Sequence, residues 1–247
     1  MVPPCDAHGR CPRALGRRTD IRNVTLLEHL RRLLRADARS READGGLSAP
    51  AVLAASFACG ALPFSGAAAR ITAGVDLRTY GSGTVSGTGL YEVAGFAPLA
   101  LAGSLDVAKG AVGPLLATPR RPRLGALAAA ATICGHNWSP FLKGAGGRGI
   151  SPALGATLVL APEACAVIAT GLAAGRIRHE SGFGTFLSLV ALFPLLAVTR
   201  RRHGLLVAAC VAMPMAAKRL TGNRRPEGRL GLTLVSRLLY DRDPGTP

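Results

Sequence analysis

The apolar stretches constrain this chain more than any other feature. Several runs of roughly 20 residues are almost free of charge, the length at which a helix crosses a hydrocarbon core. They lie at about Leu47–Ala69, Val93–Ala117, Leu124–Ile133 (continuing to His136), Pro152–Ala174, Phe183–Val198 and Gly204–Ala217. The expectation is an all-α integral membrane protein, a polytopic bundle of about six (five to seven) transmembrane helices joined by glycine-rich loops. Residues 1–46 read as a basic N-terminal arm, 47–220 as the membrane domain and 221–247 as a basic tail.

Charge then narrows the partners. The formal net charge is +16, which in a soluble chain points to nucleic acid. Here the arginines sit between apolar runs and in the tails, so anionic lipid headgroups fit better, and no nucleic-acid partner is expected. Aromatic residues are only 4% of the chain, too few for a stacking platform. The arm holds ten arginines and six acids without an apolar core, so no signal peptide is expected within it. Val24, Leu27, Leu30 and Leu34 recur there at helical spacing and suggest a short amphipathic surface helix, or else a disordered tail. The LGLTLVSRLLY stretch of the C-terminal tail reads as another surface helix. Cys5, His8 and Cys11 lack a fourth ligand, and the other cysteines fall in apolar runs. No metal, disulfide framework or other cofactor is expected. P-loop, G-x-S-x-G and HExxH patterns are missing from the sequence.

Two polar stretches break the apolar pattern. Gly135–Ile150 carries five glycines with His136, Lys143 and Arg148. Glycines 144, 146, 147 and 149 can turn successive N–H groups inward as an anion nest, and Arg148 adds a planar fork suited to phosphate. His136 can move a proton near neutral pH. A flexible basic loop at a membrane surface explains the same composition. The second stretch, Gly81–Gly89, has four glycines and four hydroxyls and reads as a second nest or as a linker. Asp106 and Lys109 sit three apart in an apolar run, where charges face a bundle interior, either as a working site or as a packing ion pair. Glu163 has no assignable task.

These stretches resemble, in order, the bacterial membrane glycerol-3-phosphate acyltransferases that use acyl phosphate, the PlsY family. The resemblance covers about Gly60–Gly222. It rests on Gly60-Ala61-Leu62-Pro63-Phe64, then on Asp76-Leu77-Arg78 through Gly81-Ser82-Gly83 to Glu92, then on Leu105-Asp106-Val107-Ala108-Lys109-Gly110. Gly135-His136 through Phe141-Leu142 to Gly146-Gly147-Arg148-Gly149 follow, and then Arg178-His179-Glu180-Ser181. There are departures. Thr84 and Gly89 replace asparagines, and Glu92 replaces a phosphate-binding arginine. Arg148 replaces a lysine. The third motif survives only as Lys218-Arg219-Leu220 and Gly222, with Met213 and Ala216 at its histidine and asparagine positions; its glutamate is matched only if Glu227 is reached through a gap.

The resemblance implies acyl transfer from acyl phosphate to the 1-hydroxyl of glycerol 3-phosphate, giving lysophosphatidate, with membrane lipids as surroundings and no protein partner. It implies His136 and Ser82 as catalytic groups. It implies Gly81, Gly83, Lys109, Gly146, Gly147, Arg148, Gly149 and Ser181 as phosphate-facing groups, and Thr84, Thr88, Glu92 and Asp106 near the acceptor. Glu92 is expected to turn away from the pocket or to pair with Arg78, because a carboxylate opposes a bound anion. A related acyltransferase with a changed acceptor, an inactive paralogue, and a non-enzymatic bundle or transporter are the alternatives. The resemblance places the protein in the inner (plasma) membrane with its motif loops facing the cytoplasm, whereas the positive-inside tally for six spans puts them outside.

Overall fold

The first apolar run does not form one straight helix. In the computed structural model, which describes residues 47–117, 120–200, 202–223 and 230–242, it is split at Leu62-Pro63. α1 (Ala49–Ala61) precedes the break and α2 (Phe64–Ala73) follows it. Proline at 63 has no N–H to continue the ladder, which explains the break. A polar segment then leads to the short helix α3 (Gly87–Ala94). α4 (Phe96–Leu116) and α5 (Pro122–Asn137) come next. The 152–174 run is likewise divided, at Ala161-Pro162, into α6 (Ile150–Leu160) and α7 (Pro162–Ile177). A 3-10 turn, Pro140–Leu142, lies between α5 and α6, and α8 (Ser181–Thr199), α9 (Gly204–Thr221) and α10 (Leu230–Tyr240) complete the described elements, all of them helical.

By length and composition, four segments among the described residues can cross a bilayer: Ala49–Ala73, Phe96–Leu116, Ser181–Thr199 and Gly204–Thr221. The sequence suggested about six. The difference lies in α5, which is only 16 residues long, and in the proline break between α6 and α7. The outward faces stay apolar: Phe96, Leu101, Leu187, Val190 and Met213 are all exposed. On a water-soluble protein that surface would be an aggregation liability; against lipid tails it carries no penalty.

Where lipid removes the hydrophobic drive between helices, close approach of backbones must hold them together. A Cβ at Gly60 would overlap the Thr132 carbonyl, and one at Gly135 would overlap the Phe57 carbonyl, so α1 and α5 meet backbone to backbone. Gly110 and Gly155 do the same for α4 and α6, against the carbonyls of Pro152 and Val107. Ile133, Ile168, Leu192, Leu196, Val211 and Met215 fill the core among α5, α7, α8 and α9. A smaller cluster of Leu77, Val85, Leu90 and Leu142 sits beneath the glycine-rich loops. α10 packs Thr233 and Arg237 inward and leaves Leu230, Leu232 and Val235 exposed, an amphipathic helix on α8 and α9. The surface helix expected at Val24–Leu34, the Cys5–Cys11 group and Glu227 lie outside the described residues.

Candidate active site

Three helices begin at one cavity. α3 starts after Ser86, whose Oγ accepts from the Gly89 N–H at 3.3 Å. α6 starts after Gly149, whose φ of +80° turns the chain out of the preceding loop. α8 starts at Ser181. Thr88, Gly89, Ile150, Ser151, Ser181 and Gly182, all in first turns, line the same cavity of about 880 Å³. First-turn N–H groups have no partner within their own helix and carry the positive end of its dipole. Three of them around one cavity are the kind of arrangement that suits an anion, although the lining also carries the carboxylates Glu92, Asp106 and Asp241.

Side chains add chemistry to that backbone field. Tyr80, Gly81, Ser82, Thr84, Glu92, Asp106, His136 and Arg148 line the cavity, and an apolar flank is formed by Phe96, Leu99, Leu154 and Leu172. Ser82 Oγ lies 3.0 Å from Thr84 Oγ1. At the floor, His136 Nδ1 stands 3.9 Å from Asp106 Oδ1. Ser65 donates its hydroxyl to Asp106 Oδ2 at 2.7 Å.

Lys109 takes a different place from the one suggested for it. Its ammonium pairs with Asp106 Oδ1 at 2.7 Å and donates to the Leu62 carbonyl at 2.6 Å, buried below the cavity and away from its lining. It neutralises the carboxylate that faces His136, which is the packing-pair reading of these two charges. Gly83 is also outside the lining; its carbonyl accepts from Asn223 Nδ2 at 3.0 Å. The same Nδ2 donates to the Gly146 carbonyl at 3.0 Å, so Asn223 ties the two glycine-rich stretches together.

Gly146 and Gly147 are not turned into a nest. Neither has positive φ, and each is small because something presses on it. A Cβ at Gly146 would overlap the His136 carbonyl, and one at Gly147 would overlap the His136 Nε2 atom. The loop lies directly on the histidine ring, with Gly147 N–H donating to the His136 carbonyl at 3.2 Å.

Arg148 Nε meets the Asp241 carboxylate at 2.9 Å, and its Nη1 donates to the Lys218 carbonyl at 3.1 Å. Arg219, 1% exposed, lines the cavity nearby. Its Nη1 serves the carbonyls of Gly182 and Leu238 at 3.0 and 2.8 Å, while its Nε and Nη2 have no hydrogen-bond partner among the described residues. Burial raises the Asp241 carboxyl above its ordinary range, against the pull of Arg148 and Arg219.

Glu92 does not turn away. It lines the cavity, because α3 is a helix and carries that position round to the wall. Nor does Arg78 reach it: Arg78 binds Asp76 at 2.6 Å and holds that carboxyl well below the usual range, with Arg70 assisting at 2.8 Å. Glu163 pairs with Arg200 at 2.8 Å, which gives it a structural partner.

Ser65, Arg219, Asn223 and Asp241 had not been singled out as site residues. Arg219 carried a signal in the surviving Lys-Arg-Leu; the others had none, since their roles depend on contacts 41 to 140 residues away in the chain.

The sequence pattern of one family, glycerol-3-phosphate acyltransferase, matches residues 50–225. Glycerol-3-phosphate acyltransferase 5 of Dehalococcoides mccartyi is 39% identical over 149 residues, 56% of this chain and 60% of that protein. The glycerol-3-phosphate acyltransferase of Thermoanaerobacter sp. is 37% identical over 94 residues, 38% of this chain and 48% of its own length. The chain thus spans about half to three fifths of these relatives. A crystal structure of PlsY (YgiH), an integral membrane glycerol 3-phosphate acyltransferase in its glycerol 3-phosphate form, has the same fold. Its TM-score is 0.63 at 22% identity, with 74% of this chain and 97% of that one covered.

Proposed function

From the premise that this chain belongs to the glycerol-3-phosphate acyltransferase family, we propose that it transfers an acyl group from an acyl phosphate to glycerol 3-phosphate. The reading is carried by the convergence of three helix N-termini, Arg148 and Arg219 on a cavity that also has an apolar flank. Both substrates bring phosphate and one brings a hydrocarbon chain, and that cavity has a place for each.

The acceptor's 1-hydroxyl oxygen attacks the acyl carbonyl carbon. The bond from that carbon to the phosphate oxygen breaks, and inorganic phosphate leaves with the electron pair. His136 orients the hydroxyl and takes its proton, with Asp106 Oδ1 3.9 Å from its Nδ1. Ser65 and Lys109 hold Asp106 from below. The helix N-termini and Arg148 stabilise charge on the departing phosphate, and Ser82 and Ser181 donate to phosphate oxygens. An acyl phosphate is already activated, so positioning and charge stabilisation carry the rate. The apolar flank of Phe96, Leu99, Leu154 and Leu172 receives the acyl chain. The reaction takes place at the inner (plasma) membrane with the cavity facing the cytoplasm, where phosphorylated substrates are made.

Glu92 favours one competing reading. A carboxylate on the cavity wall weakens a dianionic acceptor and suits a less anionic one. Purified protein in detergent, supplied with a long-chain acyl phosphate and labelled glycerol 3-phosphate, should release lysophosphatidate. Consumption of the donor with no labelled product, but with product from glycerol or another neutral alcohol, moves the assignment to a changed acceptor. No turnover of the donor with any acceptor overturns the enzyme reading.

A further inference from the structure

The family match ends at residue 225, yet the cavity wall does not. Asp241, beyond that match and directly after α10, lines the cavity and meets Arg148 Nε at 2.9 Å. Its backbone sits at φ +58°, the left-handed conformation common just after a helix C-terminus and better tolerated by Asp than by most non-glycine residues. Contacts around it fix where it sits. A Cβ at Gly182 would overlap the Tyr240 carbonyl, so the start of α8 and the end of α10 touch backbone to backbone. The Phe183 and Tyr240 rings stack at 5.6 Å, and Arg242 reaches Glu180 at 3.2 Å. The end of α10 is therefore built against the cavity, and the carboxylate is aimed by that docking.

The aim has a chemical consequence. A guanidinium binds phosphate best through two adjacent N–H groups. Arg148 Nη1 spends one of its two N–H groups on the Lys218 carbonyl, and the two-pronged edge that includes Nε is the one Asp241 approaches. Asp241 Oδ1 lies 2.9 Å from that Nε as an ion pair, without a hydrogen bond from it. A phosphate that takes that edge competes with the carboxylate's charge beside Nε. Arg219, whose buried Nε and Nη2 have no hydrogen-bond partner among the described residues, adds positive charge to that part of the cavity wall.

We propose that Asp241 is a built-in competitor for substrate phosphate: its carboxylate holds Arg148 and yields it to an incoming phosphate, so α10 sets how tightly this chain binds its anionic substrate. The proposal rests on the reading of the cavity as a phosphate site and adds to it a residue that determines affinity. A merely structural carboxylate, or one that positions Arg148 for phosphate, has the opposite signature on removal.

The test is calorimetric binding of inorganic phosphate and of glycerol 3-phosphate to the full chain in detergent. Asp241→Asn is close in shape, and asparagine tolerates the left-handed conformation well. Removing that adjacent negative charge should tighten both ligands by about tenfold. Arg242→Gln loosens the exposed clasp without touching the cavity and should tighten both by about twofold. It keeps the test decisive if Asp241→Asn fails to fold. Unchanged or weaker binding in the variants, with Arg148→Ala abolishing wild-type binding, overturns the competitor role and leaves the phosphate site standing. No binding of either ligand by wild type or variants overturns the phosphate site itself, and this proposal with it.

Discussion

The two glycine-rich stretches look alike in sequence and do different work. At 81–89 glycine is needed for backbone direction: Gly81 and Gly83 have φ of +51° and +71°, and a Cβ at Gly81 would meet nothing within 4 Å. At 144–149 the two central glycines are needed for space. Gly146 and Gly147 have ordinary φ, and their missing side chains let the loop rest on His136. The first stretch is a turn opening on the cavity; the second is a lid pressed on an imidazole. Asn223 holds them in register by donating to Gly83 and Gly146 at once. Glycine content alone therefore says that the backbone is doing something particular, and leaves open whether conformation or contact demands it.

Alanine substitutions break this contrast most directly. Gly147→Ala should have the largest effect, since its Cβ meets His136 Nε2 and lies 2.8 Å from the Val85 carbonyl oxygen, a backbone atom that cannot swing aside. Overpacking of this kind costs about 1–3 kcal/mol of stability. Displacement of the histidine should lower the initial rate by about 100-fold or more, the lower end of what general acid–base groups supply. A lowered melting temperature together with lost turnover checks both parts; normal turnover refutes the assignment of His136 to the reaction.

Arg148→Ala comes next. Loss of hydrogen bonds to a charged ligand should weaken phosphate binding by about 1.5–3 kcal/mol. Arg148→Lys should retain much of the affinity, because a point charge still meets phosphate. An equal loss in both variants shows that the fork held by Asp241 and Lys218 is structural.

Gly81→Ala is the counterpart of Gly147→Ala and should be far milder. With no steric neighbour, it meets only the left-handed backbone penalty of about 1–2 kcal/mol, and relief in the unfolded chain offsets part of it. The melting temperature should fall slightly and turnover stay within a few-fold of wild type. A collapse equal to that of Gly147→Ala erases the distinction between the two stretches.

The smallest effect expected is at Glu92. It is exposed on the cavity wall, so its repulsion of a phosphate about 4 Å away amounts to about 1 kcal/mol in water-like surroundings. Glu92→Gln should lower the KM for glycerol 3-phosphate by a few-fold with kcat nearly unchanged. A rise in KM instead makes Glu92 a positive acceptor contact, in keeping with a less anionic acceptor.

The membrane character and approximate helix positions were legible because hydrocarbon thickness sets a minimum apolar length that composition reports directly. The observed helices Phe96–Leu116, Ser181–Thr199 and Gly204–Thr221 fall close to the runs read from composition. The breaks at Pro63 and Pro162 were carried by prolines in plain view, but an apolar run hides them from hydropathy. Glu92 was misread for a geometric reason. Its direction follows from α3, a short helix in a stretch whose glycines and hydroxyls suggested irregular backbone.

Sequence alone determined that this chain enters a membrane as helices and that a histidine, an arginine and clustered glycines interrupt them at particular points, because apolar length, charge and missing side chains are properties of residues in order. The tertiary structure decided which of those groups meet. It put Lys109 beneath the cavity rather than in its lining, gave Gly147 to the His136 ring, and brought Asp241 from the far end of the chain onto Arg148. Those outcomes depend on helix docking across long stretches of sequence, where a side chain's partner is chosen by space and burial and not by its neighbours in the chain.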